Sequence, residues 1–212
     1  DAQESRGLGD VYKRQRHGRS PASAPRRRIV TADPRIAHTV RTLAEVATTS
    51  AMSVTEFVSS NSRPLDRSGG PAHVTASCVV FSPDFTRVLL THHAKGRFWV
   101  QFGGHVEPGD DTVRDAALRE AREESGVQDF PWLSPHPVDV HSHDLPGAFG
   151  ACATHHDVVY GAVLSPDAHT QVSDESLDVK WFLIDDLPGT IVDDLPQRLP
   201  GLIEATRSQY LG

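Results

Sequence analysis

Hydrophobic positions divide the chain into a helical N-terminal stretch and a longer region where strand and helix patterns alternate. Between residues 33 and 59 the apolar side chains recur at helical spacing on one face: Ile36, Val40, Leu43, Val46 and Ala47. This periodicity predicts a helix, with Asp33 as its N-cap and Pro34 at its first position. A second short helix is predicted at residues 54–59. We expect these helices to pack beside the main domain, although they could also form a dimer face.

Short apolar runs after residue 71 predict strands, because they are bounded by turn-forming residues. Residues 76–81 and 87–91 are interpreted as a hairpin around a turn at 82–84. Further strands are predicted at residues 98–102, 137–142, 157–164 and 177–184, the middle two as a pair joined by a glycine-rich loop. A final helical region is expected to start at 185–188 and to run to about residue 210. These elements predict three segments, a tail (1–28), a helical extension with a linker (29–70) and a main domain (71–212).

The composition is that of a soluble protein with an ordinary core. Of its 212 residues, 38% are hydrophobic and 23% charged, which suits one domain with additional segments. No run of about 18 apolar residues predicts a membrane span, and the N-terminus lacks the apolar region of a secretory signal. We therefore expect a cytoplasmic protein, with Cys78 and Cys152 as reduced core thiols.

Charge is distributed unevenly along the chain. Of 21 basic and 28 acidic residues, 8 and 3 lie in residues 1–28, which leaves 13 basic and 25 acidic residues for the rest. The basic segment is predicted to be a disordered tail, and it has the look of non-native sequence, so it carries no functional weight. The acidic remainder argues against a stable nucleic-acid partner, because phosphates would be repelled. It agrees with a site that binds divalent cations.

The residues with the clearest chemistry lie between 98 and 127, where an aromatic strand leads through Gly103-Gly104 and a short loop into a helix that ends at Gly126. This helix carries the pattern R-E-x-x-E-E at residues 119–124. Three carboxylates, of Glu120, Glu123 and Glu124, fall on one helical face within about one turn. Such hard oxygen ligands suit Mg²⁺ or Mn²⁺. Taken alone, the pattern is equally compatible with a solvated helix bearing Glu–Arg pairs.

Together with the glycines on either side, this helix resembles the Nudix box, G-x5-E-x7-R-E-U-x-E-E-x-G-U, where U is a bulky apolar residue. Counting back from Arg119 places Asp111 where the box has Glu, with a one-residue insertion in the loop before it, and Ala121 replaces the apolar residue. The resemblance covers about residues 73–188. It implies an α/β/α sandwich with a mixed sheet and hydrolysis of a nucleoside diphosphate linked to another group.

The resemblance also implies roles for individual residues. Glu120 and Glu124 would be the main ligands of Mg²⁺ or Mn²⁺, Glu123 would support them, and the Gly104 carbonyl would complete the set. Arg119 would hold the carboxylates through salt bridges, braced by Asp111 or Asp110. The general base stays open among Glu120 and two loop acids, Asp174 and Glu175.

Candidates for substrate binding flank this stretch. Lys95 and Arg97 could contact phosphates, although a solvated hairpin tip explains them equally well, and His105 and His156 could line the pocket. The chain has 12 histidines, but no H-E-x-x-H or C-x-x-C spacing, which disfavours a zinc hydrolase. The alternative function is a Nudix-like module that senses nucleotides or sugars without cleaving them. The three retained glutamates favour the enzyme.

Overall fold

A mixed eight-stranded sheet forms the centre of the protein, in a computed structural model that describes residues 33–145, 152–174 and 176–212. The helices are α1 (Pro34–Ala44), α2 (Thr49–Ser60), α3 (Val113–Ser125) and α4 (Leu195–Leu211). The strands are β1 (Ala72–Phe81), β2 (Arg87–His93), β3 (Trp99–Val100), β4 (Phe102–His105), β5 (Trp132–Leu133), β6 (Asp139–Asp144), β7 (Thr154–Val163) and β8 (Ser176–Leu183). The predicted disordered tail at residues 1–28 lies outside the described residues.

Strand β1 organises the sheet, because it pairs with three other strands. It runs parallel to β7 from Ala72↔Thr154 to Phe81↔Val163. It is antiparallel to β2 near its C-terminal end and to β4 nearer its N-terminal end. Strand β7 also pairs with β5 and β6, and β2 with β3 and β8. The predicted β1–β2 hairpin and the predicted β6–β7 pair are confirmed.

Helices cover both faces of this sheet. On one face, α2 and α3 bury residues such as Val54 and Ala117 against Ala76 and Cys78 of β1. On the other face, α4 buries Leu195 and its neighbours against β1 and β7. This arrangement confirms the predicted α/β/α sandwich. Within the described residues, no helix combines the length and the apolar character needed to cross a membrane.

The sheet face that α4 covers is apolar at the C-terminal end of β1 and polar toward its N-terminal end. Successive side chains of a strand point to opposite faces. On the α4 side, Val79 and Phe81 are packed in the apolar core, whereas Thr75 and Ser77 line a cavity. The N-terminal half of this face is therefore polar and open, and the cavity lies there.

Several predicted boundaries differ from the structure. The Asp33 cap is confirmed, since its carboxylate accepts a hydrogen bond from the Arg35 backbone N–H at 3.0 Å. The second helix begins at residue 49 rather than 54, because the Thr48 side chain caps it. The aromatic strand divides into β3 and β4, which pair with different neighbours. The last helix begins at residue 195, ten residues later than expected, and β5 was not predicted.

Candidate metal and substrate site

The glycine pair of β4 allows the edge of the sheet and helix α3 to approach closely. Gly103 and Gly104 pair with Ser77 and Ala76 of β1. A Cβ atom on Gly104 would lie 2.4 Å from Glu120 Oε1, well inside contact distance. The Gly103 N–H donates a hydrogen bond of 2.9 Å to Glu124 Oε2. The absence of a side chain at Gly104 therefore lets the Glu120 carboxylate reach the strand, whereas a Cβ on Gly103 would meet Ser77 Oγ of β1 at 2.3 Å.

Helix α3 has defined ends and one apolar face. The Thr112 hydroxyl accepts a hydrogen bond from the Asp115 N–H at 3.1 Å at its start. Gly126 ends it at φ +72°, as predicted, in the left-handed conformation that glycine adopts without strain. Ala117 and Ala121 are fully buried against the sheet. A small side chain at position 121, where the resembled motif has a bulky one, thus belongs to the close contact between helix and sheet.

Arg119 connects the acidic residues of the site. Its Nη1 lies 2.9 Å from both Glu120 Oε1 and Glu123 Oε2, and its Nη2 donates to the His105 carbonyl at 2.8 Å. Burial would lower the pKa of Arg119, but hydrogen bonding to Asp110 and the charge of Glu120 outweigh it, so the pKa is raised. Arg119 therefore stays charged and holds the carboxylates on one side of α3.

The acid that braces Arg119 is Asp110. Its two carboxylate oxygens accept from Arg119 Nε and Nη2 at 3.1 Å each, and Oδ2 also accepts from the Glu107 N–H at 2.7 Å. Asp111, the residue selected by counting back from Arg119, is exposed. Five residues separate Gly104 from Asp110, as in the motif, so the inserted residue lies after the acid and not before it. This corrects the sequence assignment.

A second arginine supports the same loop from the N-terminal extension. Arg35 of α1 donates through Nη1 to the carbonyls of Glu107, at 2.8 Å, and of Asp110, at 3.4 Å. The Asp33 carboxylate forms an ion pair of 2.7 Å with the guanidinium of Arg35. Helix α1 therefore contacts the loop that carries the acid partner of Arg119. Sequence reasoning missed this contact, since more than 70 residues separate Arg35 from the loop.

The acidic cluster opens into a cavity of about 1030 Å³. Its wall includes all four predicted metal ligands, Gly104, Glu120, Glu123 and Glu124, together with Arg119 and the predicted substrate residues Lys95 and His105. It also includes residues that the sequence did not single out: Arg67, Phe98 and His155. Arg67 lies in the segment interpreted only as a linker.

Four predicted site residues are placed elsewhere or are not described. Arg97 is exposed at a turn, with φ +60°, and is not part of the cavity wall. His156 lies on the opposite face of β7 from the cavity, where its ring is 4.2 Å from that of Phe57 and its Nδ1 is 2.8 Å from Ser142 Oγ. Strand alternation instead directs its neighbour His155 into the cavity. Glu175 lies outside the described residues, and Asp174 beside it is exposed.

The two cysteines occupy different environments. Cys78 is fully buried in the apolar core, and burial raises its pKa to about 12. Cys152 is also buried, at 9% exposure, and free, as expected, but it lines the cavity, close to His155. Burial lowers the pKa of His105 to about 4 and that of His155 to about 3. Both imidazoles of this wall are therefore neutral near pH 7.

The donors on α3 and β4 fit a hard divalent cation. Three carboxylates line the cavity together with Gly104, the residue whose backbone carbonyl is the fourth predicted ligand, and such oxygen ligands are the type that Mg²⁺ and Mn²⁺ prefer. The missing side chain at Gly104 leaves the Glu120 carboxylate its place beside the strand. Glu124 is largely buried, at 6% exposure, and is positioned by the Gly103 N–H.

Comparison with known proteins gives matches of three kinds. A family model described as the NUDIX domain matches residues 71–202, more than half of the chain. A Bos taurus protein described as m7GpppN-mRNA hydrolase NUDT17 is 36% identical over 93 residues, which is 41% of this chain and 30% of that protein. The chain thus spans under a third of the length of this curated relative.

Among solved structures, the dihydroneopterin triphosphate pyrophosphohydrolase of E. coli matches with a TM-score of 0.52 and 18% identity, over 62% of this chain and 94% of that one. A NUDIX-family hydrolase from Clostridium perfringens matches with a TM-score of 0.48 and 24% identity, over 66% and 97%. At these identities the likeness to the E. coli structure concerns the fold.

Proposed function

The chain belongs to the Nudix family, and from this premise we propose that it is a divalent-metal-dependent hydrolase of the pyrophosphate bond in nucleoside diphosphate derivatives. The observation that carries this proposal is the cluster around Arg119. It holds Glu120 and Glu123 by ion pairs of 2.9 Å, beside the glycine pair that positions Glu124. An acidic helix face that only contacts solvent does not require its carboxylates to line a cavity, as those of Glu120, Glu123 and Glu124 do.

In this proposal the carboxylates of Glu120 and Glu124 hold Mg²⁺ or Mn²⁺, with Glu123 and the Gly104 carbonyl completing the protein ligands. A bound divalent ion neutralises pyrophosphate oxygens and stabilises the charge that develops in the transition state. Arg119 keeps the carboxylates of Glu120 and Glu123 oriented, because its ion pairs restrict their rotamers. Glu120 lies in the cavity wall. Among the candidate bases, it is the one we propose to take a proton from the attacking water.

Two basic side chains and one phenyl ring of the cavity wall are candidates for contacts with the substrate. Lys95 and Arg67 are positioned in its wall to contact phosphates by charge-assisted hydrogen bonds. Phe98 offers a flat apolar surface on which a base could stack. The description of the bovine relative concerns m7GpppN-mRNA, so a cap dinucleotide belongs in a substrate panel with ADP-ribose, a nucleotide sugar, a dinucleoside polyphosphate and an oxidised dNTP.

The test is product release from this panel with Mg²⁺, with Mn²⁺ and with chelator. We expect metal-dependent turnover that falls by at least about 100-fold in Glu124→Gln, the scale of losing one group that stabilises transition-state charge. The matched control is Glu204→Gln, at an exposed carboxylate of α4, which should retain full turnover. Turnover that persists in chelator would refute metal dependence. Binding of the same ligands without turnover would instead identify a sensing module.

A second pair of variants tests the phosphate contact. Lys95 lines the cavity and Arg97, two residues further on, does not. Removing a charge-assisted hydrogen bond costs about 1.5–3 kcal/mol, so Lys95→Met should raise KM by about tenfold or more. Arg97→Met should leave KM within about twofold of wild type. Equal effects of the two substitutions on KM would show that Lys95 does not contact the substrate.

A further inference from the structure

Three histidines and one cysteine meet at the wall of the cavity, apart from the carboxylates of α3. One donor atom from each of His73, His105, Cys152 and His155 lies within 4.8 Å of all the others. The three imidazole rings form a near-equilateral triangle, with centroid distances of 5.0 Å for His73–His105, 4.9 Å for His73–His155 and 5.2 Å for His105–His155. Such convergence of potential ligands resembles a metal centre more than a packed core.

The sheet itself builds this arrangement. His73 of β1 is the direct partner of His155 in the parallel β1–β7 pair. His105 of β4 pairs with Thr75, two residues along β1 and therefore on the same face as His73. Cys152 precedes β7, and its neighbour Ala153 donates its N–H to the Pro71 carbonyl at 2.7 Å. Backbone hydrogen bonds thus position all four residues.

Several ring nitrogens of the cluster are buried without the partner that such atoms require. Both nitrogens of His73, Nε2 of His105 and Nε2 of His155 make no hydrogen bond of standard geometry to any residue in the described part of the chain. The His73 side chain is completely buried. Buried polar atoms are almost always paired, so unpaired ones grouped at one point indicate a missing ligand.

We propose that His73, His105, His155 and Cys152 bind a zinc ion. Three imidazoles and a thiolate are borderline-to-soft ligands, which suit Zn²⁺ and do not suit Mg²⁺. Zinc bonds of about 2.0–2.3 Å place tetrahedral ligands roughly 3.3–3.7 Å apart. Each donor needs to move inward by less than about 1 Å from its present place. The Cys152 thiol releases its proton to solvent as it binds, so that the thiolate offsets one of the two positive charges of the ion.

The four protein ligands close the coordination shell, which is the arrangement of a structural zinc rather than a catalytic one. The ion ties together β1, β4 and the start of β7 at the cavity wall. It also acts on the neighbouring site, since the carbonyl of His105 accepts a hydrogen bond of 2.8 Å from Arg119. The absence of an H-E-x-x-H spacing does not bear on such a centre, because its ligands come from three separate segments of the chain, and only Cys152 and His155 are close in sequence.

The test uses the full chain, stripped with chelator and then titrated with Zn²⁺ under calorimetry, with bound metal measured by mass spectrometry. We expect one tightly bound zinc per chain in wild type and in Glu124→Gln. Cys152→Ser and His155→Gln should bind it more than about 100-fold less tightly, because loss of outer-shell partners alone costs up to about that factor. His169→Gln, at an exposed histidine, is the matched control.

Two further readouts separate loss of the site from loss of the fold. Cobalt in place of zinc should give a thiolate charge-transfer band in wild type that is absent in Cys152→Ser. Zinc should raise the Tm of wild type but not that of Cys152→Ser, while the two metal-free proteins unfold at similar temperatures. Absence of zinc binding by wild type would overturn the proposal. So would full zinc binding by both ligand variants, or its loss in Glu124→Gln, which would place the ion at the carboxylates.

Discussion

Replacing Asp110 by asparagine removes the negative charge that the side chain of Arg119 faces inside the loop. Asp110 is 7% exposed and accepts two hydrogen bonds of 3.1 Å from Arg119. Asparagine has a single oxygen acceptor, which cannot serve both nitrogens of Arg119 and the Glu107 N–H. The substitution therefore leaves a mostly buried guanidinium with weaker compensation.

The magnitude follows from the remaining contacts. Hydrogen bonds between charged groups contribute about 1.5–3 kcal/mol, and breaking a fully buried pair costs about 3–5 kcal/mol. The Arg119 side chain is 21% exposed and keeps ion pairs with Glu120 and Glu123, so the lower range applies. We expect Asp110→Asn to lower the free energy of unfolding by about 2 kcal/mol, a fall in Tm of about 4–8 °C for a domain of this size.

Asp111→Asn is the matched control, since it makes the same chemical change one residue later at an exposed position. It should alter the free energy of unfolding by less than about 0.5 kcal/mol. The assay is urea unfolding of wild type and both variants at neutral pH, followed by circular dichroism, with Tm measured in parallel. Equal destabilisation by the two substitutions, or a larger effect at Asp111, would refute the assignment of Asp110 as the partner of Arg119.

Two other contacts give predictions with controls in the same segment. Gly104→Ala places a Cβ 2.4 Å from Glu120 Oε1; the carboxylate must shift, and since a misplacement of about 1 Å can cost 100-fold, turnover should fall by up to that factor. Gly109→Ala meets nothing within 4 Å and should retain full turnover; equal rates would show that the close approach is unimportant. Arg35→Met loses its bonds to the loop carbonyls and should destabilise by about 1–2 kcal/mol in urea unfolding. Arg41→Met, exposed on the same helix, should change stability by less than about 0.5 kcal/mol, and indistinguishable midpoints would argue against the contact.

Features that depend on neighbours along the chain were predictable from the sequence. The shared face of Glu120, Glu123 and Glu124 follows from helical periodicity, and Gly126 ends the helix because glycine adopts the left-handed conformation readily. Short apolar runs bounded by turn-forming residues predicted most strands, since these signals are local too. The motif then implied the sandwich fold, which the structure confirms.

The tertiary structure decided which residues meet. Successive side chains of a strand point to opposite faces, so His155 and His156 lie on opposite faces of β7. Only the positions of α2 and the cavity show which of the two histidines faces the site. Likewise, the path of the loop makes Asp110 rather than Asp111 the partner of Arg119. The position of α1 brings Arg35 to that loop. The physical reason is that periodicity is set within a few residues, whereas strand register and helix docking depend on contacts between segments far apart in the chain. The convergence of His73, His105, Cys152 and His155 arises only from such contacts.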